Sequence, residues 1–245
     1  MLAYRSGIFP MAEARDDPEI FWVEPRRRAI LPLDGFRCSR SLARSLRRGR
    51  FTVTVNTAFD AVLEACAAPR PDPRQPDAAG ETWISQRIAA SYRLLHQRGE
   101  AHSVECWHAG QLVGGLYGVG FDGVFCGESM FARMADASKV ALAWLVVALR
   151  LGGAQLLDCQ FMTDHLASLG AVEISQKRYL SLLRKAQQPD NYCTASASGA
   201  GASGAASAAG AALLAGFGAL AAALKSSGLS SSPGNFIAQS LTHTS

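Results

Sequence analysis

The chain has 245 residues, 49% of them apolar, which is enough for one large packed domain or two small ones and excludes a chain disordered throughout. Its six cysteines, Cys38, Cys66, Cys106, Cys126, Cys159 and Cys193, are scattered, with no C-x-x-C pair and no secretory signal at the start. This usage fits a reducing cytoplasm and argues against a disulfide framework or a zinc site. The net charge of +4 is modest but unevenly spread, with Arg26, Arg27, Arg28, Arg37, Arg40, Arg44, Arg47, Arg48 and Arg50 crowded near the start, a footprint suited to phosphates.

Taken in chain order, Ser39 to Gly49 reads as a helix with Ser39 or Ser41 as N-cap and Gly49 as its stop. Helical spacing puts Arg40, Arg44, Arg47 and Arg48 in one arc, opposite Leu42 and Leu46. Phe51, Val53 and Val55 then alternate with Thr52, Thr54 and Asn56 as a strand. Thr57 is expected to cap a helix carrying Phe59, Val62, Leu63 and Cys66. Pro69 to Gly80 has no apolar periodicity and reads as an exposed loop. A helix follows with Ile84, Ile88, Tyr92 and Leu95 on one face, ending near Gly99. Three strands come next, His102 to Trp107, Leu112 to Val119 and Val124 to Met130, separated by Ala109-Gly110 and Asp122-Gly123 turns. His102, Cys106 and His108 share a strand edge, but no second cluster completes a tetrahedral site, so no metal is expected.

An apolar helix from Asp136 to Leu151 ends at Gly152-Gly153, before a strand from Leu156 to Phe161. A short helix from Asp164, a strand from Ala171 to Ile174 and a helix from Lys177 to Lys185 complete the pattern. From Asn191 to Leu224 there is no charged residue, and Ala, Gly and Ser dominate. The tail of 191–245 is read first as a disordered or loosely helical linker, with a docked helix or a weak membrane association as alternatives.

Two segments carry polar groups where strands should be apolar. In Cys126-Gly-Glu-Ser-Met-Phe131 the period of two places Glu128 on the same face as Met130. In Leu156-Leu-Asp-Cys-Gln-Phe161 it places Asp158 beside Gln160, with Leu157, Cys159 and Phe161 on the other face. A carboxylate in a strand interior is costly unless paired or functional, so Glu128 and Asp158 are the first candidates for a site. The order strand, helix, helix, three strands, helix, strand, helix, strand after Ser39 predicts an α+β fold of the N-acetyltransferase (GNAT-like) layout, in which a splayed mixed sheet holds an acyl donor.

The chain resembles the leucyl/phenylalanyl-tRNA-protein transferases from Leu2 to about Lys185. The resemblance rests on Ala3-Tyr-Arg-Ser-Gly-Ile-Phe-Pro10, Phe21-Trp22, Arg28-Ala-Ile-Leu31, Ser39-Arg-Ser-Leu42, Thr82-Trp-Ile84 and His102-Ser-Val-Glu105 with Trp107. It continues through Leu112-Val-Gly-Gly-Leu-Tyr-Gly118, Gly127-Glu-Ser-Met-Phe131, Ala137-Ser-Lys139, Asp158-Cys-Gln160, His165-Leu and Ser168-Leu-Gly-Ala171. It implies a cofactor-free cytoplasmic enzyme that moves Leu or Phe from Leu-tRNA or Phe-tRNA to acceptor proteins with N-terminal Arg or Lys. The new N-terminus marks them for N-degron-dependent degradation.

By the same resemblance, Asp158 and Gln160 form the catalytic pair, with Asp158 holding Gln160, and Glu128 positions substrate. Met130, Phe125, Leu142, Leu145 and Leu157 would wall the aminoacyl side-chain pocket, and Trp22, Trp107 and Tyr117 would lie near the tRNA 3′-adenosine. Arg40, Arg44, Arg47 and Arg48 would meet the tRNA backbone. A monomer with no membrane association is expected, with a small N-terminal domain over 1–37, the transferase domain over 38–190 and the tail over 191–245. Met1 almost abuts the Ala-Tyr-x-x-Gly-Ile-Phe-Pro motif, so a shortened N-terminal domain or a misassigned start is expected. Two competing readings remain: an acetyl-CoA-dependent N-acetyltransferase on the same fold, disfavoured because Glu128 to Asp136 lacks a G-x-G/A pyrophosphate loop, and a non-catalytic RNA-binding protein.

Overall fold

A computed structural model describes residues 1–69, 82–188, 215–219 and 233–242. Helix α1 (Leu2–Arg5) leads into a two-stranded ribbon of β1 (Phe9–Met11) and β2 (Phe21–Val23), then β3 (Arg27–Ile30). After a 3-10 turn at Leu33–Gly35 come α2 (Arg40–Arg47), β4 (Thr52–Val55), α3 (Phe59–Ala67) and α4 (Gln86–Gln97). A meander of β5 (Ala101–His108), β6 (Gln111–Phe121) and β7 (Val124–Ala132) follows. The order closes with α5 (Ala137–Leu151), β8 (Leu156–Gln160), α6 (Asp164–Ser168), β9 (Val172–Ser175), α7 (Gln176–Ala186), the short helix α8 (215–219) and α9 (Pro233–Thr242).

Local chemistry accounts for most of these boundaries. Ser39, Ser85, Thr163 and Ser175 each accept a backbone N–H of the first turn through the side-chain oxygen, at the starts of α2, α4, α6 and α7. The cap expected from Thr57 does not form. Its hydroxyl donates to the Val55 carbonyl, and α3 begins after Ala58, whose N–H donates to Glu105 Oε1 at 3.4 Å. Apart from Pro69, the loop expected over 69–80 lies outside the described residues.

Seven strands form one mixed sheet in the order β4-β5-β6-β7-β8-β3-β9. All neighbours run antiparallel except β7 and β8, which are parallel. Leu42, Leu46, Leu142, Leu145 and Leu157 belong to the core on the side of α2 and α5. Phe59, Ile88, Tyr92, Tyr179 and Leu183 belong to the core on the side of α3, α4 and α7, joined there by Tyr4 and Phe9. Gly114 permits a close approach of β6 to α5, since a Cβ there would lie 2.5 Å from the Ala137 Cβ at the start of α5.

Two elements bear on the expected domain division. Within 1–37, β3 sits in the main sheet between β8 and β9. Its Arg28, counted above in the arginine footprint, is buried against another charge. In the tail, α9 packs on α2 and α5, burying Ile237, Ala238 and Leu241. Gly234 abuts the Leu46 carbonyl so closely that no side chain fits, and Arg150 of α5 donates to the Ser240 carbonyl at 2.9 Å. Apart from α8, the rest of 191–245 lies outside the described residues, and no described helix is long and apolar enough to cross a membrane.

Candidate active site

The site forms where the parallel strands part. β7 and β8 pair at Val124 with Leu156, Phe125 with Leu157 and Cys126 with Asp158, and the ladder then stops. On the other edge of β7, Tyr117 pairs with Ser129 and Gly118 with Gly127, so Glu128 is the extra residue of a β-bulge. The bulge separates residues expected to share a face. Glu128 reaches toward α4, whereas Met130 packs with the α5-side core.

Glu128 Oε2 accepts from Tyr92 Oη at 2.8 Å and from Gln160 Nε2 at 2.8 Å, which bridges the splay. Tyr92 spends its hydrogen on Glu128, so Tyr4, 2.9 Å from the Tyr92 hydroxyl, donates to it in turn. Burial pushes the Glu128 carboxyl up to about 7; hydrogen bonds from Tyr92, Gln160 and Tyr4 oppose the rise, and the Asp158 charge adds to it. Glu128 Oε1 is buried without a hydrogen-bond partner among the described residues. Burial and the nearby Glu128 charge raise both Tyr4 and Tyr92, which keeps them as hydroxyl donors.

Asp158 is fully buried, and both its oxygens are spoken for. Oδ1 accepts from Arg28 Nε at 2.9 Å and from the Gln160 backbone N–H at 2.9 Å. Oδ2 accepts from Arg28 NH2 at 2.5 Å and from Tyr179 Oη at 2.9 Å. Burial works against the Arg28 charge, but the hydrogen bonds and charge of Asp158 outweigh it and raise the guanidinium pKa. Asp158 therefore holds Gln160 by its backbone and not by its side-chain amide, and it has no surface left for substrate. Gln160 itself sits at φ 61°, a left-handed conformation uncommon for glutamine and associated with functional sites.

Glu128 and Gln160 form part of the floor of a cavity of about 1000 Å³. Met130, Leu142, Leu145, Leu157 and Leu166 give it one apolar wall, and Met11, Trp83 and Phe161 give it another. Four of the five residues expected to wall the side-chain pocket are thus brought together. Phe125 is not, because it lies in the core below the splay. Of the three aromatics expected near an adenosine, Tyr117 lines the cavity. Trp22 is 57% exposed on β2 and does not line it. Trp107 is also outside, with its indole N–H donating to Thr54 Oγ1 at 2.7 Å beyond a register shift in β5.

Trp83 and His165 line the cavity and were not singled out as site residues by the sequence. Both lie inside motifs, Thr82-Trp-Ile84 and His165-Leu, which were the available signal. Burial and the charge of Lys139 lower the His165 pKa, and its Nε2 has no partner among the described residues. Burial raises the Cys126 and Cys159 thiols, so neither is a ready thiolate nucleophile. Arg40, Arg44, Arg47 and Arg48 are exposed along α2 and at its C-terminal end.

A family model described as leucyl/phenylalanyl-tRNA protein transferase matches residues 30–184, and the N-terminal domain model of the same family matches residues 1–26. The chain belongs to this family. A leucyl/phenylalanyl-tRNA-protein transferase of Novosphingobium aromaticivorans is 64% identical over 253 residues, spanning 99% of this chain and 94% of its own. One of Rhizorhabdus wittichii is 57% identical over 184 residues, 74% of this chain and 71% of its own. Among solved structures, L-PGS from Bacillus licheniformis aligns with 68% of this chain and 54% of its own at a TM-score of 0.35 and 14% identity. Arg28 lies between the two matched segments, with Gly7 and Phe9 of the first and Asp158 and Tyr179 of the second around it.

Proposed function

We propose that this chain transfers Leu or Phe from aminoacyl-tRNA to the α-amine of proteins beginning with Arg or Lys, marking them for degradation. The observation that carries this reading is an apolar cavity ending on one uncompensated carboxylate and one amide. Leu142, Leu145, Leu157 and the adaptable Met130 accept the donor side chain. Glu128 has no cationic partner among the described residues, whereas Asp158 is neutralised by Arg28. A cationic acceptor N-terminus is therefore drawn to Glu128.

As a carboxylate, Glu128 takes a proton from the acceptor ammonium and frees the amine lone pair. Gln160 Nε2 is committed to Glu128, which leaves the amide oxygen to accept a hydrogen of the amine and orient it. The amine nitrogen attacks the ester carbonyl carbon, the bond to the ribose oxygen breaks, and a proton from nitrogen goes to that oxygen. No enzyme nucleophile is needed. Asp158 serves as a positioning residue beneath the reacting groups. The parallel pair parting beyond Cys126 and Asp158 supports a GNAT-like reading of the domain, and the exposed arginines of α2 support contact with the tRNA backbone. Family membership and the scattered free thiols support a cytoplasmic enzyme, which we take to act as a monomer.

The test is transfer of labelled Phe from Phe-tRNA to a protein with N-terminal Lys, run beside labelled acetyl-CoA. Label from Phe-tRNA alone supports the reading, and label from acetyl-CoA alone refutes it.

A further inference from the structure

We infer that Arg28 is a positioning residue for this reaction: its guanidinium clamps Asp158, Asp158 pins the left-handed backbone at Gln160, and the Gln160 amide is thereby aimed across the splay at Glu128. The inference rests on the aminoacyl-transfer reading for its kinetic consequence and on geometry alone for its structural one.

Arg28 enters from β3, which lies beside β8, and is 1% exposed. Its fork meets Asp158 on both oxygens, Nε to Oδ1 at 2.9 Å and NH2 to Oδ2 at 2.5 Å. The guanidinium carbon lies 4.6 Å from the ring centre of Phe9 and 4.5 Å from that of Tyr179. The third nitrogen donates to the Gly7 carbonyl at 3.2 Å. Gly7 has φ 86°, and a Cβ there would lie 2.9 Å from Leu180 Cδ2, so this arrangement needs glycine. The N-terminal segment, β3 and α7 thus meet around one cation.

A buried ion pair is weak evidence for stability, since apolar residues of the same volume often serve as well. Its placement is the informative part. Asp158 Oδ1, fixed by Arg28, also accepts the N–H of Gln160, whose backbone is held in a conformation that glutamine rarely adopts. Only Cys159 separates Asp158 from the residue whose amide meets Glu128. An arginine fork fixes both carboxylate oxygens at once, which the point charge of lysine does not.

Arg28→Lys keeps the charge and loses the fork. We expect kcat for Phe transfer to fall about 10- to 100-fold, the scale for a misplaced reacting group, with KM for Phe-tRNA within about 3-fold. Losing the Gln160 bond also removes one of the hydrogen bonds that hold the Glu128 pKa down. The groups facing Glu128 are Tyr92 from α4, Tyr4 from α1, Asp158 and Gln160 from β8 and Cys126 from its own strand. The Glu128 carboxyl, followed by 13C NMR titration, should therefore titrate at higher pH in the variant. A purely structural role lowers Tm and leaves that titration in place, which overturns the inference, as does an unchanged kcat in an active enzyme. Tyr179→Phe keeps the ring under the guanidinium and removes one donor to Asp158; it should move the titration the same way and lower kcat about 3- to 10-fold. An unmoved titration there overturns the clamp even where Arg28→Lys does not fold. Failure of the wild-type chain to transfer Phe counts against the functional reading alone, because the titration still decides the clamp.

Discussion

Replacing Glu128 by Gln should inactivate the enzyme and stabilise it, but only at high pH. Burial raises the Glu128 carboxyl from 4.5 to about 7. At about 1.4 kcal/mol per pH unit, keeping it ionised in the folded state costs up to about 3.5 kcal/mol. Between those two values the unfolded chain has released its proton and the folded chain has not. Stability therefore falls as pH rises through this window, and the contribution present below 4.5 is gone above 7. The substituted amide stays neutral throughout. Its oxygen can take the place of Oε2 and keep the bonds from Tyr92 and Gln160, while its NH2 falls where Oε1 has no partner. That unpaired donor removes part of the gain, leaving about 2 kcal/mol at pH 8 and little at pH 5. Urea unfolding at both pH values measures this, and the Tm at pH 8 should rise by roughly 4–8 °C. Transfer should drop by roughly 100-fold or more at pH 8, because the base is lost, and by less toward pH 5, where the wild-type carboxyl is itself protonated. An equal stability change at both pH values would refute the burial argument.

Replacing Arg44 and Arg47 together by Ala should weaken tRNA binding and reduce the slope of log affinity against log salt by about 2, measured by filter binding over a salt series; an unchanged slope places the tRNA elsewhere. Trp83→Ala should raise KM for Phe-tRNA roughly 5- to 100-fold if the cavity aromatic stacks on a base, while Trp107→Ala leaves KM unchanged. The reverse ranking would return Trp107 to the site. Ile237→Asp puts a charge where α9 seals the α2 and α5 groove, so limited proteolysis should cut near the C-terminus and Tm should fall, with the transfer rate preserved at low temperature. Unchanged protease resistance would show that α9 does not need this contact.

From Ser39 to Lys185 every strand and helix was legible, because period and punctuation agreed: Ser39 caps α2, Gly49 stops it at φ 59°, and the Asp122-Gly123 pair turns β6 into β7. The residues before Ser39 were not. Three-residue strands such as β1 and β2 have no measurable period, and β3 carries Arg28, a cation that belongs to the interior only because Asp158 lies opposite it. Helix α9 was hidden in a tail whose composition resembles a linker, since its apolar face is Ile237, Ala238 and Leu241 among small residues. Glu128, Asp158 and Gln160 stand out as misplaced polar groups on strands. Their division of labour does not, because it depends on a bulge and a left-handed residue, and neither leaves a trace in a period of two. Trp107 came from the resemblance, and the register shift after Cys106 leaves no trace in the sequence; Trp83, ahead of α4, lines the cavity instead.

The most direct test of the central claim, that the amine is oriented at the splay between β7 and β8, is single-turnover Phe transfer by Gln160→Ala at saturating Phe-tRNA, with tRNA affinity measured on the same protein. Loss of the orienting amide should lower the transfer rate roughly 100-fold with tRNA affinity unchanged. A wild-type rate, or a loss of affinity that accounts for the whole decrease, would contradict it.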